Sequence, residues 1–171
     1  MGLFGKKESE STVDELLKKS EEVERQAQEA RKEALEKKES TLPKVNITGD
    51  KNDPKSLAYL NANGVDVVSG IEILGNEENY EKMLKDFSST VKNKYNKLID
   101  SKASRNLKDY ADVSNDIKTS SNYLGLNKLY ELSKDHAFKA ECDDYNYIVE
   151  NFKEFDDELT KMIGIITARY Q

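Results

Sequence analysis

The sequence has few of the residues that bind metals or form disulfides. Its 171 residues include one His, His136, one Cys, Cys142, and no Trp. A single Cys excludes an internal disulfide, and one His with one Cys makes no ligand set for structural zinc, iron–sulfur clusters or haem. The count does not bear on ligand sets made of carboxylates alone. Even so, we expect no metal site and no cofactor.

Proline, glycine and long apolar runs are also scarce. The chain has 2 Pro and 8 Gly, and 35% of its residues are charged. Such a composition favours a soluble, all-α protein, because most of its residues are good helix formers. The longest nearly apolar run covers about five residues, 162–166, whereas a membrane helix needs about 20. We therefore expect no membrane span.

The charge and the first residues bear on partners and location. The net charge of −6 opposes binding to a phosphate backbone, so we expect no nucleic acid partner. The start, MGLFGKK, has neither the apolar core of a secretory signal nor a Ser or Thr at position 6 for N-myristoylation. Together with one unpaired Cys, this start favours a cytoplasmic protein.

Residues 1–39 are predicted to form a charged helical extension. Many Glu residues in this stretch lie three or four positions from a Lys or Arg, and such pairs stabilise helices. A thin heptad seam, rich in Ala, runs through residues 13–34. Two interpretations fit this seam: a single solvated helix, or a weak coiled coil formed by self-association or with a partner. Residues 40–57, which hold both prolines, are predicted to be a linker.

Residues 58–171 contain four segments with apolar residues at alternating spacings of three and four. These spacings predict helices over about 77–101, 104–123, 126–141 and 144–170, after a short entry helix over about 65–74. Gly125 is expected to end the second long helix as a C-terminal cap. The connections are only about two to five residues long, which favours antiparallel neighbours. We expect an up-down-up-down four-helix bundle.

One stretch of the second long helix, NDIKTSSNYLG over residues 115–125, carries a recognisable motif. It resembles the signature of the histidine-containing phosphotransfer (HPt) family, which reads His, any residue, an aliphatic residue, Lys, a small residue, four variable residues, an aliphatic residue and Gly. Five positions match in register: Ile117, Lys118, Thr119, Leu124 and Gly125. Asn115 stands where the family has its phosphorylated His. The resemblance extends over about residues 58–171 and implies an HPt-like bundle.

The resemblance implies a docking surface without phosphate chemistry. The lone pair of the Asn115 amide nitrogen is delocalised into the carbonyl, so this side chain cannot replace an imidazole nucleophile. Ala111, Lys118, Thr119 and Asn122 lie at helical offsets from Asn115 that place all five on one face. In the family this face docks a response-regulator receiver domain or a histidine kinase. We therefore expect a pseudo-phosphotransfer protein, not an enzyme, that docks such a partner in a two-component phosphorelay.

Three alternatives compete with this interpretation. The face could be an ordinary solvated helix surface. The bundle could serve as a structural adaptor in an unrelated complex, with the heptad seam recruiting the partner. His136 could carry phosphate in place of Asn115, but its position at the edge of an apolar stripe predicts a packed side chain. The acidic clusters at 143–144 and 156–158 are interpreted as a turn and a solvated face, not as a metal or acid–base site.

Overall fold

The computed structural model describes residues 45–171, and this part of the chain forms one compact unit, Val45–Gln171. Its regular structure is entirely helical. Six α-helices are followed by a 3₁₀ turn at Ala168–Tyr170: α1 Leu57–Ala62, α2 Val67–Leu74, α3 Glu77–Ala103, α4 Leu107–Leu124, α5 Asn127–Glu141 and α6 Tyr145–Thr167. The predicted all-α class is therefore confirmed for this part of the chain. The predicted N-terminal helix and the heptad seam over 13–34 lie outside the described residues.

The helices begin where the sequence supplies capping side chains. An oxygen of the side chain just before the helix accepts a backbone N–H of the first turn in five of the six, at Ser56, Asp66, Asn76, Asn106 and Asp144. Each such cap stabilises a helix by about 1 kcal/mol. The predicted entry helix and the four long helices are confirmed, with bounds shifted by three residues at most.

The short helix α1 was not predicted from the sequence. Leu57, assigned to the linker, and Leu60 are both buried in the apolar core. Val45 and Ile47 also pack against the core while partly exposed. The segment from residue 45 to α1 therefore packs against the helices through its few apolar side chains.

Three turns of the same kind join the four long helices. In each, one residue takes the left-handed conformation, with φ of 56° at Arg105, 69° at Gly125 and 57° at Asp143. The N–H of the next residue then bonds back to the helix, as from Asn106 to the Ser101 carbonyl at 2.9 Å. This arrangement satisfies carbonyls that the helix end would leave unpaired. It also predicts that each helix turns back sharply on the one before.

The long helices enclose a single apolar core. α4 packs most extensively on α5 and also on α3, α5 packs on α6, and α6 returns to contact α3. The inward stripes predicted from the 3–4 spacing supply most of the core, including Tyr80, Phe87, Ile117 and Phe155, each almost fully buried. The short helix α2 packs against α3 and α4.

Candidate functional site

The candidate site lies on α4, whose two sides differ sharply in burial. Ile117 and Leu124 are fully buried, whereas Thr119 and Asn122 are exposed. Asn115 and Lys118 are half-buried at the margin between the two sides. The Thr119 hydroxyl donates to the Asn115 carbonyl oxygen at 2.9 Å, so it folds back on the helix. These four residues, Asn115, Lys118, Thr119 and Asn122, are called the α4 surface below.

Ala111 does not belong to the exposed surface on which the sequence analysis placed it. Its exposure is only 5%, and it is a member of the apolar core. The offset of four residues does place Ala111 on the same side of α4 as Asn115. However, α5 packs on α4 more extensively than any other helix does, and the offset gives no information about that packing. Helical periodicity reports angles around one helix and does not show which flank a neighbouring helix covers.

Asn115 links a cation and a carboxylate. Its Oδ1 accepts a hydrogen bond from Lys118 Nζ at 2.5 Å, and its Nδ2 donates one to Glu141 Oε1 at 3.0 Å. Only this orientation of the amide satisfies both neighbours, because the ammonium group can only donate and the carboxylate can only accept. The side chain is therefore held in one orientation between α4 and the last residue of α5. Since these groups are at most half-buried, we expect the link to contribute no more than about 1 kcal/mol.

Glu141 is the residue of this site that the sequence analysis missed. It is 26 positions from Asn115 in the sequence, outside the motif, and belongs to a different helix. A weak signal existed, because a carboxylate in the last turn of a helix opposes the helix dipole. That signal does not identify Asn115 as the partner, so the contact follows only from the structure.

The Gly at the end of the motif has a direct structural task. A Cβ added to Gly125 would lie 2.0 Å from the backbone oxygen of Asp66, and the residue has a positive φ of 69°. The Asp66 N–H donates to the Gly125 carbonyl at 2.9 Å, and the Tyr80 hydroxyl donates to the neighbouring Leu124 carbonyl at 3.1 Å. The C-terminal end of α4 is thereby attached to the starts of α2 and α3, and only glycine permits this contact.

His136 is fully buried, as its packed position predicted. Its Nδ1 lies 2.8 Å from the Tyr110 hydroxyl, and its ring lies against Phe155, with 4.7 Å between ring centroids. Nε2 has no hydrogen-bond partner of good geometry. Burial lowers the pKa of His136 from 6.5 to about 4, while the Asn151 backbone and the charge of Asp135 oppose this by less. At neutral pH the ring is uncharged and out of reach of solvent.

The acidic clusters have partners within the fold. Asp144 caps α6 by accepting the Tyr147 N–H at 3.1 Å, and this bond holds the pKa of the carboxyl below its usual value. Asp156 accepts the Tyr95 hydroxyl at 2.8 Å. Glu158, only 7% exposed, accepts from Lys161 at 3.3 Å. Contrary to its interpretation as a solvated side chain, Glu158 is thus largely buried, because α6 turns that flank toward its neighbours.

Among residues 45–171, no group of three or more His, Cys, Asp or Glu side chains is arranged to hold a metal ion. In the same range, no helix combines the length and apolar character needed to cross a membrane.

Comparisons of the chain with protein-family models, with curated proteins and with solved structures find no match. The resemblance to the phosphotransfer family remains a prediction from the sequence motif at residues 115–125.

Proposed function

We propose that residues 58–171 are a degenerate HPt-like domain that docks a receiver or histidine-kinase domain without carrying phosphate. The α4 surface is the contact region, and Asn115 occupies the position of the phosphorylated His. The protein would then tune a two-component phosphorelay by occupying its partner. No enzymatic step is assigned to it.

The helix contacts support the bundle part of this proposal. Each long helix packs on the one before it, and α6 returns to α3, which is the contact pattern of a closed ring of four helices. Connections of three residues or fewer between successive long helices favour antiparallel neighbours. A short helix packed against two of the four, as α2 is, agrees with the entry helix that the resemblance implies.

The observation that carries the proposal is the agreement between the motif and the burial on α4. The aliphatic positions of the motif, Ile117 and Leu124, are in the core, and its Gly125 is required at a close contact. The first position, Asn115, remains accessible on the same helix. The register of the motif and the burial of the helix are thus compatible, and this agreement supports the proposal.

The local chemistry favours docking over phosphate transfer. The Asn115 amide offers no nucleophilic lone pair, and His136 has no solvent exposure through which a phosphoryl donor could reach it. What remains at the α4 surface is a set of hydroxyl, amide and ammonium groups. Such groups form hydrogen bonds at a protein interface without needing a covalent step.

A binding experiment with matched variants tests the proposal. The full chain is titrated calorimetrically against the receiver and histidine-kinase domains of its source. Thr119→Arg places a long cation in the middle of the α4 surface and should weaken binding at least about tenfold. Thr160→Arg on α6 is the control, because both threonines are exposed and both hydroxyls bond to the carbonyl four residues earlier. Failure of every receiver and kinase domain to bind would refute the docking function.

The adaptor interpretation makes a different prediction for the same assay. If residues 1–39 recruit the partner, their deletion abolishes binding while Thr119→Arg leaves it intact. If the α4 surface recruits the partner, the deletion leaves at least part of the affinity and Thr119→Arg removes it. The two interpretations therefore give opposite results for one pair of variants.

A further inference from the structure

Glu141 lies where it is costly for its own helix. It is the final residue of α5, where the helix dipole disfavours a negative charge. Its carboxylate bonds across to the Asn115 amide on α4. Glu141 therefore does not stabilise α5 through the helix dipole, and the contact that the structure shows for its carboxylate is with the α4 surface.

The charges on the two sides of Asn115 balance. Lys118 Nζ contacts one end of the amide and Glu141 Oε1 the other. The ammonium group by itself would attract an anion to position 115, and the carboxylate offsets that attraction. The charges of the two groups that bond to Asn115 therefore sum to zero.

We propose that Glu141 is a second determinant, independent of Asn115, that excludes a phosphoryl group from the α4 surface. This inference rests on the proposed function, since the phosphotransfer motif locates the phosphoryl position at residue 115. Two helices thus contribute to the loss of phosphate chemistry. On α4, Asn115 lacks a nucleophilic nitrogen, and on α5, the Glu141 carboxylate would repel a dianionic phosphoryl group at position 115.

The size of the effect follows from Coulomb's law. A dianionic phosphoryl group about 4 Å from one carboxylate forms two repulsive unit-charge pairs, which in water lower the extent of phosphorylation by roughly a factor of 30. Restoring the His alone should therefore restore only weak phosphorylation.

The test restores the nucleophile with and without the carboxylate. Asn115→His, Asn115→His/Glu141→Gln and Asn115→His/Glu131→Gln are treated with phosphoramidate, and labelling is measured by intact mass and by its loss in acid. The imidazole nitrogen attacks phosphorus, and a new P–N bond forms. Ammonia leaves with the electrons of the broken bond, and the imidazolium product releases a proton to solvent. The wild-type chain, whose one His is the buried His136, is the blank.

Glu131 supplies the matched control. It is also an exposed glutamate of α5, paired with Lys134, and its replacement changes the net charge equally but about three turns from Glu141. We expect labelling of the Glu141→Gln double variant at roughly 30 times the extent of Asn115→His, with the Glu131→Gln double variant remaining low. Asn115→His/Glu141→Ala should behave like the Gln variant, which separates charge from hydrogen bonding.

Three results would overturn the inference: full labelling of Asn115→His alone, equal gains from the two Glu replacements, or no labelling of any variant. The reaction contains no protein partner. A failure to bind receiver domains would refute the docking function without affecting this result, and the reverse also holds.

Discussion

Acid should destabilise this protein through His136, which lies in the core between Tyr110 and the aromatic side chains of α6. Charging the imidazole requires either a buried cation or the opening of the contacts among α4, α5 and α6. The perturbation is therefore a fall in pH from 7 to 4, and the quantity of interest is the free energy of unfolding.

The magnitude follows from the difference between the folded and unfolded pKa values. The folded pKa, about 4, is below the ordinary value of 6.5, so the unfolded chain binds the proton first as the pH falls. The contribution is fully present above pH 6.5 and is lost as the pH falls through 4. Linkage gives a loss of about 2 kcal/mol by pH 5 and about 3 kcal/mol by pH 4.

Tyrosine signals suit the assay. All nine tyrosines lie at or beyond residue 59, and the chain has no Trp, so near-UV circular dichroism during urea unfolding reports on the helical domain alone. The reference protein is Tyr110→Phe/His136→Leu, which removes both polar partners together and leaves no buried group unpaired. Carboxylates titrate in both proteins, so the difference between the two curves isolates the imidazole.

The reasoning predicts that the wild-type chain loses about 2 kcal/mol more than the reference between pH 7 and pH 5. Parallel pH dependences, within the error of about 0.5 kcal/mol expected of such curves, would refute it. That result would mean that the imidazole gains access to solvent or to a compensating charge when it is protonated.

Four further substitutions test the packing and the conformation of the turns. Gly125→Ala should lower the free energy of unfolding by at least about 3 kcal/mol, because the new Cβ would overlap the Asp66 backbone. Gly75→Ala, at a positive φ with open space around it, should lower it by only about 1 kcal/mol. Equal losses in urea unfolding would show that the close contact at Gly125 is unimportant. Ser121→Ala should stabilise the fold by roughly 0.5–1 kcal/mol, since its buried hydroxyl has no partner, and a lower urea midpoint would contradict this. Asp143→Gly should raise the thermal midpoint by relieving a φ of 57°, and an unchanged or lower midpoint would show that the aspartate side chain compensates.

The predictions that succeeded used interactions close together in the sequence. The approximate bounds of α3 and α4 followed from 3–4 spacing, and the structure shows that Asn76 and Asn106 cap their first turns. The left-handed cap at Gly125 followed from glycine chemistry. α1 was missed because six residues carry too little periodicity to distinguish a short helix from a linker with apolar residues.

The errors arose where another helix decides the environment. Ala111 and Asn115 differ by about one turn on α4, yet one is in the core and the other is accessible. Glu158 lies in an acidic cluster that reads as solvated, and the structure buries it beside Lys161. In both cases the sequence gives the direction of the side chain around its own helix, but not whether a neighbouring helix covers that direction.

The sequence by itself determined the all-helical class, the positions of the turns and the absence of a nucleophile at Asn115, because propensity, capping and side-chain chemistry act over a few residues. Only the tertiary structure decided that Glu141 reaches Asn115, that His136 is buried against Tyr110, and that Gly125 touches Asp66. Those contacts join residues 26 to 59 positions apart, and they exist only once packed helices bring distant segments together.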